Sequence, residues 1–182
     1  MTGQKETNEE VVGKPETILV VDDEKSIRVA LKKILERAGY YVETSPDFQD
    51  AKKRMENLNF DLLVLDIILP GINGVEILQI LRNEGIQTPV VFITGEPNFT
   101  TALEALRLGA YDYIEKPVRK HDLVKVVKHA LEKARMAKDL EVARKFVREM
   151  RELFSDVDDA GRHELTEREA SILEKLKKLE YE

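Results

Sequence analysis

A chain of 182 residues is long enough for one domain with a hydrophobic core and an appendage. A content of 42% hydrophobic and 35% charged residues excludes wholesale disorder, and no apolar stretch reaches the roughly 20 residues that a membrane span needs. The absence of cysteine excludes disulfides and thiolate chemistry, and a net charge of −6 argues against nucleic-acid binding by the whole chain. We therefore expect a cytoplasmic protein.

The first residues of the chain are polar and lack the apolar core of a secretory signal. We expect residues 1–15 to form a flexible tail and the folded domain to begin near residue 16.

Five short apolar runs follow the tail and predict five strands. They are TILVV (17–21), YYVET (40–44), DLLVL (61–65), PVVFI (89–93) and YDYIE (111–115). Strands that alternate with helices favour parallel βαβ units, and nearly continuous apolar strands favour a sheet covered on both faces. The pattern predicts an α/β domain with a five-stranded parallel sheet over about residues 16–136.

Segments between these runs carry apolar residues at helical spacing. The positions are Ile27, Leu31, Ile34, Leu35 and Ala38 in the first, Val75, Ile77, Leu78 and Leu81 in the second, and Ala102, Ala105, Leu106 and Gly109 in the third. Gly39, Gly85 and Gly109 each follow a helical stretch, where a left-handed cap is expected.

The last helical pattern continues beyond the expected end of the domain. No proline or glycine interrupts residues 122–154, so we expect one long helix whose part over 137–154 extends the fifth helix. Its two short apolar seams, joined by a three-residue step, favour either a dimerising coiled coil or a helix folded back on its own domain. A linker over 155–164 and a short helix over 165–182, which opens with the capping pair Thr166 and Glu169, complete the chain.

Polar residues with chemical potential follow four of the predicted strands. Asp22 and Asp23 follow the first strand, Asp66 the third, Thr94 the fourth and Lys116 the fifth. Because the carboxyl ends of parallel strands meet at one edge of the sheet, we expect these side chains to converge. Three clustered carboxylates favour a hard cation such as Mg²⁺, beside which one carboxylate can accept a phosphoryl group.

Each of these residues also has a simpler interpretation when taken alone. Asp66 resembles the start of a turn that contains Pro70 and Gly71, and the Asp22–Asp23 pair resembles a helix N-cap. Thr94 resembles a turn residue, and Lys116 resembles a solvated charge. The presence of all four residue types at the ends of the right strands favours a phosphoryl-transfer site.

Several segments together resemble the receiver domain of two-component response regulators, of the nitrogen-regulation type. They are ILVVDDE, LLVLDIILPGINGVEIL, VVFITG and GAYDYIEKPV, in the expected order over residues 16–136. The resemblance implies a flavodoxin-like (βα)5 fold with strand order 2-1-3-4-5. It also implies that Asp66 accepts a phosphoryl group from a sensor histidine kinase and that a cis bond joins Lys116 to Pro117.

The same resemblance assigns roles to individual residues. Asp22, Asp23 and Asp66, with the backbone carbonyl of Ile68, are implied to bind Mg²⁺. Thr94 and Lys116 match the pair that contacts the phosphoryl group.

Three further positions are implied to regulate the switch. Tyr113 matches the switch aromatic, although the residues alone favour a half-buried strand tyrosine. Ile68 and Glu96 match positions that tune the phosphate lifetime, and we expect the bulky Ile68 to slow hydrolysis.

The output of such a signalling module stays open at this point. A homodimer through the face of the fourth helix, fifth strand and fifth helix, or through the long helix, is one expectation. A truncated DNA-binding regulator is another, because LTEREASIL resembles the opening of a LuxR-type helix-turn-helix, although we expect no DNA binding by this chain alone. A stand-alone phosphorelay or adaptor protein is a third.

An enzyme is not expected beyond self-catalysed phosphorylation and dephosphorylation. The chain has no GxxxxGK[ST] motif for ATP, and an aspartate-nucleophile phosphatase would need an acidic residue where Ile68 stands.

Overall fold

The computed structural model describes residues 14–158, with side chains as far as Arg151. The predicted tail up to residue 13 and the predicted C-terminal helix over 165–182 lie outside the described residues. The chain divides into two compact units, Met1–Ala134 and Arg135–Glu182.

A five-stranded sheet forms the centre of the first unit, and every strand pairing in it is parallel. The strands of the chain are β1 (Thr17–Val21), β2 (Tyr41–Ser45), β3 (Leu62–Asp66), β4 (Ile68–Leu69), β5 (Ile72–Asn73), β6 (Val90–Thr94) and β7 (Asp112–Glu115). The order in the sheet is β2-β1-β3-β6-β7, while β4 and β5 form a separate antiparallel pair. This order confirms the predicted 2-1-3-4-5 arrangement of the five main strands.

Helices alternate with the strands of the sheet as the sequence predicts. They are α1 (Lys25–Glu36), α2 (Phe48–Asn57), α3 (Gly74–Asn83), α4 (Phe99–Arg107) and α5 (Lys120–Asp158). Gly39, Gly85 and Gly109 have φ angles of 98°, 79° and 79°, which confirms the predicted left-handed positions after three helices. Ala38, which was expected on the first helix, lies beyond its end at Glu36.

The sheet is covered on both faces, and each face has its own core. Every residue of β1, β3 and β6 is buried. Leu19 and Val21 belong to one cluster, whereas Ile18 and Val20 belong to the other, because successive strand residues point to opposite faces. This arrangement confirms the interpretation of the apolar runs as buried strands for the three central strands, whereas the edge strands β2 and β7 keep exposed residues.

Two strand boundaries differ from the prediction in a way that concerns function. Asp66 and Thr94 were expected to follow their strands, but each is the last residue of its strand. Asp66 pairs in register with Ile93, and Thr94 pairs with Glu115. The backbone of both residues is therefore fixed by the hydrogen-bond ladder of the sheet.

The sequence pattern did not predict one of the helices, α2. Helix α2 buries only Ala51 fully, and most of its residues are polar. Its N-terminus carries a local signal instead, since the Asp47 side chain accepts a hydrogen bond of 2.8 Å from the backbone N–H of Asp50.

Helix α5 confirms the predicted long helix and continues four residues further than expected. The described part of α5 runs to Asp158, so the segment over 155–158 is helical and does not form part of a linker. None of the helices in the described range is long and apolar enough to cross a membrane.

Candidate functional site

Three carboxylates meet at the carboxyl edge of the sheet, as the strand ends predict. Asp22, Asp23 and Asp66 each offer one oxygen, and these oxygens all lie within 4.8 Å of one another. Asp22 is completely buried and Asp66 is 4% exposed, whereas Asp23 is exposed. Such a set of hard oxygen donors has the chemistry of a divalent-cation site.

Lys116 connects two of these carboxylates. Its Nζ donates hydrogen bonds of 2.8 Å to Oδ2 of Asp22 and 2.6 Å to Oδ2 of Asp66. Burial acts to lower the pKa of Lys116, but the hydrogen bonds and charges of the two carboxylates outweigh it and raise the pKa. The ammonium group therefore stays protonated and offsets part of the cluster's negative charge.

Asp22 is held inside the cluster and does not cap the first helix. Burial raises the pKa of its carboxyl group, and the hydrogen bond from Lys116 opposes this rise. The other oxygen, Oδ1, accepts a 2.8 Å hydrogen bond from the backbone N–H of Glu24, which is the N-cap residue of α1. The alternative interpretation of Asp22 and Asp23 as N-cap residues is thus wrong.

Asp66 precedes a tight loop, so its interpretation as the start of a turn is also right in part. Its Oδ1 accepts a 3.1 Å hydrogen bond from the backbone N–H of Ile68. The short strands β4 and β5 are joined at Pro70 and Gly71, and Gly71 has a φ of 83°. The turn and the carboxylate cluster are two features of the same segment.

Gly74 closes this loop against the backbone of Asp66. Its N–H donates a 2.8 Å hydrogen bond to the carbonyl of Ile67. A Cβ atom at position 74 would lie 2.4 Å from the carbonyl oxygen of Asp66 and 2.9 Å from Cα of Ile67. Only glycine permits this approach, so Gly74 fixes the backbone that carries the Asp66 carboxylate.

Thr94 is buried beside this cluster at the end of β6. Its hydroxyl oxygen accepts a 3.2 Å hydrogen bond from the backbone N–H of Glu96, and its carbonyl accepts one of 2.7 Å from the N–H of Lys116. The main chain therefore ties Thr94 directly to the residue that bridges Asp22 and Asp66.

Tyr113 is half-buried and linked to the beginning of α4. Its hydroxyl oxygen accepts a 3.3 Å hydrogen bond from the backbone N–H of Asn98. Asn98 is the N-cap of α4, and its side chain accepts hydrogen bonds from the N–H groups of Thr100 and Thr101. Tyr113 thus connects the sheet to the first turn of that helix.

Comparison with protein families identifies this arrangement. The family model of the response regulator receiver domain matches residues 18–128, which is more than half of the chain and includes the whole cluster. The chain belongs to the response regulator receiver domain family. The cis peptide bond between Lys116 and Pro117, implied by the resemblance, is also present in this receiver domain.

Two relatives of this chain are longer proteins. The chain is 37% identical over 147 residues to the nitrogen assimilation regulatory protein NtrX of Azorhizobium caulinodans, covering 80% of this chain and 31% of that protein. It is 38% identical over 120 residues to the alkaline phosphatase synthesis transcriptional regulatory protein PhoP of Bacillus subtilis, covering 66% and 50%. The chain thus spans half or less of the length of these relatives.

Solved structures of receiver domains have the same fold. A CheY-like receiver domain protein from Methanospirillum hungatei has a TM-score of 0.65 and 31% identity, covering 68% of this chain and 99% of that one. The beryllofluoride-activated NtrC4 receiver domain dimer has a TM-score of 0.62 and 36% identity, covering 65% and 98%. These likenesses confirm the predicted flavodoxin-like architecture.

Arg28 is a residue of this receiver domain that the sequence interpretation missed. Its Nη1 donates hydrogen bonds to the backbone carbonyls of Asp22 at 2.6 Å and Asp23 at 2.8 Å. The sequence signal that could have indicated Arg28 is its distance from the start of α1. Arg28 lies one helical turn after the N-cap residue Glu24, and its backbone N–H donates a hydrogen bond to the Glu24 carbonyl.

We expect the substitution Gly74→Ala to lower the free energy of unfolding by about 2 to 3 kcal/mol, because the new Cβ overlaps backbone atoms that cannot move aside easily. Gly85→Ala is the matched control, since nothing lies within 4 Å of a Cβ at position 85 and only its φ of 79° is unfavourable. The control substitution should lower the free energy of unfolding by about 1 kcal/mol. Urea denaturation of both variants measures the difference, and equal losses would show that the contact with Asp66 is not tight.

Proposed function

We propose that this chain is the phosphoacceptor part of a two-component response regulator and that Asp66 accepts the phosphoryl group. The observation that carries the proposal is the pairing of a nearly buried Asp66 carboxylate with the Lys116 ammonium inside a cluster of three carboxylates. A purely structural ion pair has no need of the two additional carboxylates, since they repel one another. A phosphoryl-transfer site does need groups that bind a cation and neutralise oxygen charge.

The proposed reaction is the transfer of a phosphoryl group from a phosphohistidine of a sensor histidine kinase. A carboxylate oxygen of Asp66 attacks phosphorus, the P–N bond breaks, and its electron pair returns to the histidine ring nitrogen. The product on this chain is an aspartyl phosphate. Lys116 is placed to donate a hydrogen bond to a phosphoryl oxygen, and the Thr94 hydroxyl can donate another.

The acidic cluster fits Mg²⁺, which we propose as the cofactor. Asp22, Asp23 and Asp66 supply hard oxygen ligands, the type that Mg²⁺ prefers, and the carbonyl of Ile68 is the fourth proposed ligand. When bound, Mg²⁺ supplies positive charge that offsets the charge on the transferring phosphoryl oxygens.

The proposed switch uses contacts that already join the site to α4. Thr94 exchanges its hydrogen bond with Glu96 for one with the phosphoryl group, which pulls on the loop that leads to Asn98. Asn98 is held by the hydroxyl of Tyr113, so a shift of this loop also changes the position of the tyrosine. A local charge event is thereby coupled to the surface of α4.

The lifetime of the phosphoryl group is proposed to depend on two exposed residues beside the site. Ile68 is 49% exposed and follows the phosphoacceptor by two positions, so its apolar side chain limits the approach of water. Glu96 is also exposed and follows Thr94 by two positions. An apolar residue at position 68 also argues against the phosphatase alternative, which needs an acid there.

The test of this function is phosphorylation of the full chain by a small acyl phosphate donor. We expect the intact mass to increase by one phosphoryl group in the presence of Mg²⁺ and to remain unchanged when a chelator removes the cation. A failure to gain phosphate from any donor, or a gain that persists in the chelator, would contradict the proposed site.

The proposed output is a homodimer formed through the face of α4, β7 and α5. Three apolar side chains on α4 are exposed at helical spacing: Phe99 at 84%, Leu103 at 38% and Leu106 at 55%. The related NtrC4 receiver domain has been solved as a beryllofluoride-activated dimer, which supports self-association as the output. The exposed Leu140 and Phe146 of α5 provide the alternative dimer surface.

Light scattering with and without the phosphodonor distinguishes these two surfaces. We expect the phosphorylated chain to double its mass and Leu106→Glu to prevent this, because a charge would be buried in the interface. Leu140→Glu is the matched control and should leave the dimer intact. The opposite result would place the interface on the long helix.

A further inference from the structure

Arg28 is bound to the part of the chain that carries two of the three clustered carboxylates. One nitrogen, Nη1, reaches the carbonyls of both Asp22 and Asp23, at 2.6 and 2.8 Å. Hydrogen bonds from a guanidinium group are charge-assisted and therefore stronger than those between neutral groups. Arg28 thus holds two consecutive peptide units of the loop between β1 and α1.

The two carboxylates of this loop are restrained in different ways. Asp22 is held through its side chain by Lys116 and by the N–H of Glu24. Within residues 14–151, no hydrogen bond or ion pair holds the carboxylate of Asp23, which is exposed. The position of the Asp23 carboxylate therefore depends on its backbone, and Arg28 is the side chain that restrains that backbone.

We propose that Arg28 is a positioning residue for the divalent-cation site and determines the affinity for Mg²⁺. It holds the Asp22–Asp23 turn so that both carboxylates stay close to Asp66. The proposal rests on the proposed function only for the identity of the cation. It assigns Arg28 no contact with the phosphoryl group, so the rate of transfer at saturating Mg²⁺ should not depend on it.

The direction in which Mg²⁺ affinity changes when Arg28 is replaced tells whether Arg28 positions the ligands or acts only through its charge. Removing a positive charge near a cation site strengthens cation binding by Coulomb's law. Removing a group that orients the ligands weakens it, by about tenfold or more where residues behind metal ligands have been substituted. The two explanations therefore predict opposite changes in Mg²⁺ affinity for the same variant.

The experiment compares Arg28→Gln, Arg28→Lys and the control Arg37→Gln in the full chain. Arg37 is an exposed arginine at the end of the same helix, so its substitution removes the same charge away from the site. Mg²⁺ binding is measured by calorimetry and by the increase of melting temperature with Mg²⁺. The rate of phosphorylation by acetyl phosphate is measured separately over a range of Mg²⁺ concentrations, and circular dichroism verifies folding.

We expect Arg28→Gln to need about ten times more Mg²⁺ in both measurements, with the saturating rate within about twofold of wild type. Arg28→Lys keeps the charge but loses the planar guanidinium group, so its Mg²⁺ requirement should lie between those of wild type and Arg28→Gln. The Mg²⁺ requirement of Arg37→Gln should match that of wild type. Unchanged or tighter Mg²⁺ binding in Arg28→Gln overturns the proposal, and so does a lower saturating rate with unchanged binding. If wild type binds Mg²⁺ with this dependence on Arg28 but gains no phosphate, only the proposed function fails.

Discussion

The substitution Asp66→Asn is expected to abolish phosphoryl uptake by this receiver domain. An amide oxygen is a poor nucleophile toward phosphorus, so the rate should fall by about a thousandfold or more, as it does when a nucleophile is removed from an enzyme. The fold should persist, because asparagine keeps an oxygen that can accept the hydrogen bond from the N–H of Ile68. Intact mass spectrometry over a time course with acetyl phosphate and Mg²⁺ measures the loss.

Asp61→Asn is the matched control for this substitution. Asp61 directly precedes β3, at the opposite end of the strand from Asp66, and its carboxylate accepts a 2.8 Å hydrogen bond from the N–H of Thr17. Asparagine can also accept that bond, so the control should take up phosphate at the rate of the wild type. Phosphate uptake by Asp66→Asn at a comparable rate would assign the acceptor role to another residue and overturn the proposed site.

The architecture of the domain could be predicted because its three central strands are buried on both faces. A strand such as β1, in which all five residues are buried, must be apolar throughout, and the sequence therefore marks it clearly. The ends of strands are marked less well, because Asp66 and Thr94 are polar and yet remain in the ladder. Helix α2 was not located because its apolar stripe is short: only Ala51 is buried, Phe48 and Met55 are partly buried against the core, and its other residues are polar.

The convergence of Asp22, Asp23, Asp66 and Lys116 could also be predicted, because parallel strands bring their carboxyl ends to one edge. The hydrogen-bond and packing partners of each of these residues could not be predicted from the sequence. Which carboxylates Lys116 bridges depends on side-chain distances, and the contact of Gly74 with Asp66 depends on how closely two backbones approach. Such properties arise only from the packed structure.

The substitution Lys116→Met is expected to lower the free energy of unfolding by about 3 kcal/mol at neutral pH without Mg²⁺, because it leaves carboxylates buried without their cation. Methionine replaces the apolar stem of the lysine, so the loss reports on the ammonium group. Lys120→Met is the matched control, since Lys120 is exposed and forms no ion pair within the described residues. The control should differ from wild type by less than about 0.5 kcal/mol in urea denaturation.

The pH dependence of this loss identifies its cause. Burial raises the pKa of Asp22 and Lys116 opposes the rise, so in Lys116→Met the pKa of Asp22 should increase further. A carboxyl group with a higher pKa in the folded than in the unfolded state stabilises the fold as the pH falls toward that pKa. The defect should therefore be greatest at neutral pH and shrink on acidification.

In wild type the pKa of Lys116 is raised above its ordinary value of 10.5, so its contribution persists through neutral pH and is lost only in alkali. A defect that is the same at every pH would mean that Lys116 stabilises the domain by packing and not by its charge.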